Sequence, residues 1–154
     1  MTDAYIALSR LWPELPGNVI LHTVNCSRDE LVDWLTEVGF SIIEFSGRVG
    51  DEQVFFREAA QALGFEAEYL GNWDAWVDCL TEWSWTAPSH VAIVWSDSDS
   101  VFEQNAYLFS QVVADLNEIA RAMALMNKAT PKQVEVLLLG KTEGFPKLSL
   151  PHRS

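Results

Sequence analysis

The run His90-Val91-Ala92-Ile93-Val94-Trp95 constrains this chain more than any other stretch. It is nearly continuous in apolar residues, the pattern of a strand buried on both faces, whereas a half-exposed strand alternates. Such a strand is central or well covered. Three other segments read as strands: Val19 to Val24, Phe40 to Phe45 and Val134 to Leu139. Between them the apolar period changes to that of helices. Ser27 opens a capping box with Glu30, and Leu31, Trp34, Leu35 and Val38 recur at helical spacing until Gly39. Asp51 caps a helix from about Glu52 to Leu63, with Val54, Phe55, Ala59 and Ala62 inward and Gly64 as its stop. A third helix starts at Asn72 or Trp73, and a long fourth runs through Leu108, Val112, Val113, Leu116, Ile119 and Met123. Alternating strands and helices predict an α/β fold, a small and mainly parallel sheet of three to four strands with helices packed across it. Residues 1–154 are expected to form a single domain. Residues 1–18 read as irregular, Ser96 to Ser100 as a polar acidic loop, Asn127 to Pro131 as a break and 141–154 as a loose tail.

Charge narrows the partners. The formal net charge is −12, which repels nucleic acid and anionic membrane, so the expected partner is basic. No Lys or Arg occurs between Arg57 and Arg121, yet that window holds 11 of the chain's 22 acids, and Trp73, Trp76, Trp83 and Trp85 stand close together within it. Cys26 and Cys79 make neither a disulfide framework nor a zinc motif and read as reduced. With no signal-like N-terminus and no apolar run near the ~18 residues of a membrane span, a cytoplasmic protein is the expectation.

Signals of catalysis are weak. His22 and His90 lie in or beside apolar strands and His152 near the C-terminus, positions that suit structural or exposed roles better than general bases. No phosphate loop, nucleophile elbow or HExxH motif occurs, and Asp97-Ser98-Asp99 lacks the Gly and terminal Glu of a calcium loop. No catalytic residue, cofactor or metal is assigned.

Function is best sought in residues 68–83. Asn72 is a good N-cap, and Asp74 and Asp78 fall in the first two turns, where carboxylates favour the positive helix end. Trp76, Cys79, Leu80 and Trp83 share one face, which packs inward. Asp74, Val77, Asp78 and Thr81 share another, with Trp73 beside them. Like charges at i,i+4 cost a helix a few tenths of a kcal/mol, so the Asp74/Asp78 pair does little for the helix and suits a cationic partner. A solvated face with acids placed for the dipole is the plainer alternative.

The block Asn72-Trp73-Asp74-Ala75 followed by Asp78-Cys79-Leu80 resembles that of the barstar family of ribonuclease inhibitors. The resemblance runs from about residue 20 to 140, and the strand and helix over 19–38 are similar to those of longer bacterial members. It implies a small parallel sheet with helices and a stoichiometric, intracellular inhibitor that sets an acidic helix and its preceding loop into the active site of a basic ribonuclease. By position, Asp74 and Asp78 match the two helix carboxylates, Asn72 and Trp73 the helix start, Thr81 a later position on the same face and Trp83 a contacting tryptophan. Tyr69 and Gly71 stand with the loop, Val77 where the family's best-known member carries a tryptophan, Glu82 on the helix, and Glu103 as counterpart of the distal acid. Asp115 is expected on a helix away from the site. Two other readings stay open: a module of the same scaffold for a different basic toxin or host protein, and a small hydrolase using Asp74 and Asp78.

Overall fold

A computed structural model describes residues 5–16, 19–46, 50–65, 71–125 and 131–151. Ten elements follow in chain order: α1 (Leu8–Leu11), β1 (Leu21–Val24), α2 (Arg28–Val38), β2 (Ser41–Phe45), α3 (Glu52–Ala62), α4 (Trp73–Thr86), β3 (His90–Trp95), α5 (Ser98–Gln104), α6 (Ala106–Leu125) and β4 (Gln133–Leu139). The four strands form one sheet in the order β1-β4-β3-β2, and every pairing is parallel.

The two central strands explain the apolar run. Successive side chains of a strand point to opposite faces. Val91, Ile93 and Trp95 join one apolar layer with Val134, Val136 and Leu138, while Ala92 and Val94 join the other with Leu137 and Leu139. The first layer is closed by α3, α4 and α6, the second by α1 and α2. Cys79 belongs to the first layer and Cys26 packs against the second, so the sheet separates the two free thiols. Burial pushes both thiols up to about 11.

Local sequence sets the element ends. Ser27 Oγ accepts from the Glu30 N–H, and α2 stops at Gly39, whose φ of 117° lies in the left-handed region open to glycine. Asp51 accepts from the N–H groups of Gln53 and Val54 to open α3. The buried face of α3 is turned from the expected one: Phe56 and Ala60 are buried with Phe55 and Ala59, and Val54 and Ala62 are half-buried.

Three expected irregular segments are ordered. In the first 18 residues, α1 forms a single turn that buries Leu8, and Trp12 sits edge-on to Trp34 at 5.4 Å. The predicted acidic loop over Ser96 to Ser100 is instead the start of α5, with Ser98 and Asp99 buried. Asp99 turns inward because it accepts from the backbone N–H groups of Lys141 and Thr142 at 2.8 and 3.1 Å, and Ser98 Oγ donates to the Leu139 carbonyl at 2.9 Å. The C-terminal residues through Pro151 are not loose. Lys147 bridges Asn25, Phe145 packs on the first layer, Leu148 and Leu150 pack on the second, and the Trp12 indole N–H donates to the Ser149 carbonyl at 2.9 Å. The predicted break at Asn127 to Pro131 lies outside the described residues except for Pro131. Among the described residues, no helix is long and apolar enough to cross a membrane.

Candidate functional site

Helix α4 begins where Asn72 can cap it: its Oδ1 accepts from the Ala75 N–H at 2.8 Å. Just before it, the Gly71 carbonyl accepts from Gln53 Nε2 at 3.2 Å, which ties the end of the loop to α3. A Cβ at Gly71 would meet nothing within 4 Å, so packing does not demand glycine there. Tyr69 lies outside the described residues.

The two faces of α4 are sharply divided. Trp76, Cys79, Leu80 and Trp83 are buried, and Trp76 sits edge-on to Phe55 at 5.3 Å. Trp83 is only 5 % exposed, which corrects its expected place among partner-contacting residues. It lies two turns from Trp76 and shares its inward direction. On the opposite side Asp74, Asp78 and Glu82 are exposed, Val77 is 44 % exposed and Thr81 is half-buried. Thr81 Oγ1 donates to the Val77 carbonyl at 2.9 Å, leaving its oxygen free to accept.

Helix α6 runs beside α4 in the same direction. At the start of the pair, the rings of Trp73 and Tyr107 meet at 6.0 Å. Further along, Val77, Thr81, Ser84 and Trp85 of α4 and Asp115, Glu118, Ile119 and Ala122 of α6 line a groove of ≈ 260 Å³. Asp115 was expected away from the site, but the parallel packing of the two helices sets it in this groove. Glu103, the expected distal acid, is exposed on α5 and does not line the groove.

Asp115 is short of partners. Its Oδ1 accepts from Gln111 Nε2 at 3.1 Å, while its Oδ2 is buried with no hydrogen bond. Burial raises its pKa above the ordinary carboxylate value; Gln111 and the nearby Trp76 indole N–H pull it back, and Glu118 adds repulsion. The Trp76 N–H makes no well-formed hydrogen bond of its own, so it acts on Asp115 by proximity. An ionised carboxylate in that state costs the fold free energy unless a cation or a donor reaches it.

Neighbours fix the rest of the surface. The Trp73 indole N–H donates to Glu52 Oε1 at 3.2 Å, and its ring is edge-on to Phe56 at 5.1 Å. At the far end Lys132 Nζ donates to the carbonyls of Ser84 and Trp85 at 3.0 and 3.2 Å, satisfying the last turn of α4 where a cation is favoured. No histidine or lysine is among the described residues that line the groove. His22 is buried elsewhere, with Nε2 at 2.9 Å from Glu135 Oε1, and His90 lies beside Phe40.

Sequence reasoning missed Tyr107, Asp115, Glu118 and the groove role of Trp85. One signal was present: Tyr107, Gln111 and Asp115 recur every fourth residue, beside the core positions Leu108, Val112 and Leu116. Compared with protein-family models, the chain matches the one described as Barstar (barnase inhibitor) over residues 40–138, from just before β2 to the penultimate residue of β4. That is well over half of the chain and narrower than the 20 to 140 its motifs suggest. No curated protein matches it.

Proposed function

The chain belongs to the barstar family, and on that premise we propose that it inhibits a basic ribonuclease stoichiometrically, inside the cell that makes the enzyme. The proposed contact surface is the outward face of α4, its capped start and the groove beside α6. One observation carries the reading: Asp74, Asp78 and Glu82 stand exposed on one side of a helix whose other side is locked into the core. Helix and core fix the backbone that carries these carboxylates before any partner arrives, so little backbone entropy is lost on docking.

The mechanism follows from charge and shape. A ribonuclease holds RNA with cationic side chains, and fixed carboxylates on a rigid helix take the place of the phosphates. The acid-rich middle of the chain draws a basic enzyme in by long-range attraction, which salt weakens. Once docked, Asp78 and Asp115 lose water but gain cations, and Val77 and Trp85 exclude solvent around them. Asn72, Gly71, Trp73 and Thr81 complete the surface, while Trp83 supports it from beneath. Inhibition is by occupancy and consumes neither protein. A second reading, a different basic toxin or a host protein as partner, is supported by Val77 where the family's best-known member carries a tryptophan and by the burial of Trp83.

A titration tests the proposal. Purified protein added to barnase hydrolysing RNA should abolish activity at an equimolar ratio, and the double variant Asp74→Ala/Asp78→Ala should need a large excess. No loss of hydrolysis at micromolar concentrations would reject a barnase-type ribonuclease as target and favour the second reading.

A further inference from the structure

We propose that Tyr107, braced by Trp73, is the seat of an arginine side chain of the inhibited ribonuclease, so that the interface reaches past α4 onto the first turn of α6. This inference rests on the inhibitor reading above. Tyr107 is 62 % exposed, a large side chain left in water at the end of the α4–α6 pair opposite Trp85. It is not loosely held. Its ring lies edge-to-face with Trp73 at 6.0 Å and 89°, and Trp73 is itself fixed by Glu52 and by the edge of Phe56. A braced aromatic ring loses little freedom when a partner covers it.

Charge selects the occupant. Asp74 follows Trp73 directly and is exposed, Glu103 is exposed on α5, and no Lys or Arg occurs from 58 to 120. An apolar side chain would gain nothing from that field, and a nucleobase would bring phosphate against it. A lysine ammonium is compact and strongly hydrated, whereas a guanidinium is flat, weakly hydrated, stacks on an aromatic face and still donates to carboxylates at its edge. Arginine therefore matches both the ring and the acids.

The test compares three variants in binding to barnase, with Asp78→Ala as reference. Tyr107→Phe keeps the π face, and Tyr107→Leu keeps apolar bulk without it. Cation–π attraction of ~0.5–2 kcal/mol corresponds to roughly 2- to 30-fold in affinity. Tyr107→Leu should thus weaken binding by at least about 3-fold, mostly in dissociation, while Tyr107→Phe stays within about 2-fold of wild type. Unfolding midpoints of all variants confirm that each is folded before its affinity is compared. If Tyr107→Leu binds as tightly as wild type while Asp78→Ala binds weakly, the arginine seat is overturned and the inhibitor reading stands. Equal weakening by Phe and Leu would assign the effect to the phenol hydroxyl and also overturn the seat. Wild-type protein that does not bind barnase at all would reject a barnase-type ribonuclease as target and overturn the seat with it.

Discussion

Asp115 shows how a single carboxylate can oppose folding, and under the proposed function the same group serves binding. Its folded pKa is raised, so the stability linked to it is full below the unfolded carboxylate pKa and is lost as pH rises through the higher folded value. At neutral pH the ionised group therefore works against the fold. Asp115→Asn is expected to raise the urea midpoint at neutral pH and to gain little in acid, while weakening barnase binding by about 2 kcal/mol or more, because an incoming cation would lose its counter-charge. A variant that is less stable at neutral pH yet binds as tightly as wild type would contradict this account of the groove. Sequence placed the α4 acids correctly because helical phase is local. It misplaced Trp83 because a family position outweighed a phase that put it on the inward side with Trp76. It misplaced Asp115 because nothing in a sequence states that α6 lies against α4.

Among the elements, those with matching period, cap and stop were legible. For α2, the Ser27 cap, the apolar spacing and Gly39 all agree, and the helix lies where they put it. Helix α5 was not legible, because its acids look like a loop until Lys141 and Thr142 donate to Asp99. Desolvation, the largest single influence, raises the pKa of Asp99, but three backbone N–H donors and Thr142 together bring it below the ordinary value. For a depressed carboxylate the linked stability is present above the unfolded pKa and is lost as pH falls through the folded one. Asp99→Asn keeps one oxygen for the Lys141 and Thr142 N–H groups but turns its amide NH2 against the Ser100 N–H, and should cost about 1–3 kcal/mol at neutral pH. The gap from wild type should close in strong acid when both are followed by urea unfolding. A gap that stays constant with pH would mean that the carboxylate charge is not what joins α5 to the end of β4.

On the scale of the molecule, the two-sided burial of His90–Trp95 was readable from composition, whereas the order β1-β4-β3-β2 was not. Strand order depends on which edges meet, and parallel strands joined through helices leave no hairpin turn to mark their neighbours. The family match spans β2 to β4 and the helices between them; of the preceding elements, β1 adds an edge strand to the same sheet, and α1 and α2 cover its other face. That arrangement gives a built-in control. Asp78 is exposed on α4, and Asp33 is exposed on α2, which closes the opposite layer. The most direct test measures barnase binding and unfolding of Asp78→Ala beside Asp33→Ala. Asp78→Ala should weaken binding by about 2 kcal/mol or more, mainly through faster dissociation, while stability changes by less than ~1 kcal/mol or rises as repulsion of Asp74 is relieved. Asp33→Ala should leave both nearly unchanged. Tight binding by Asp78→Ala together with loss of binding in Asp33→Ala would place the inhibitory surface on the other side of the sheet.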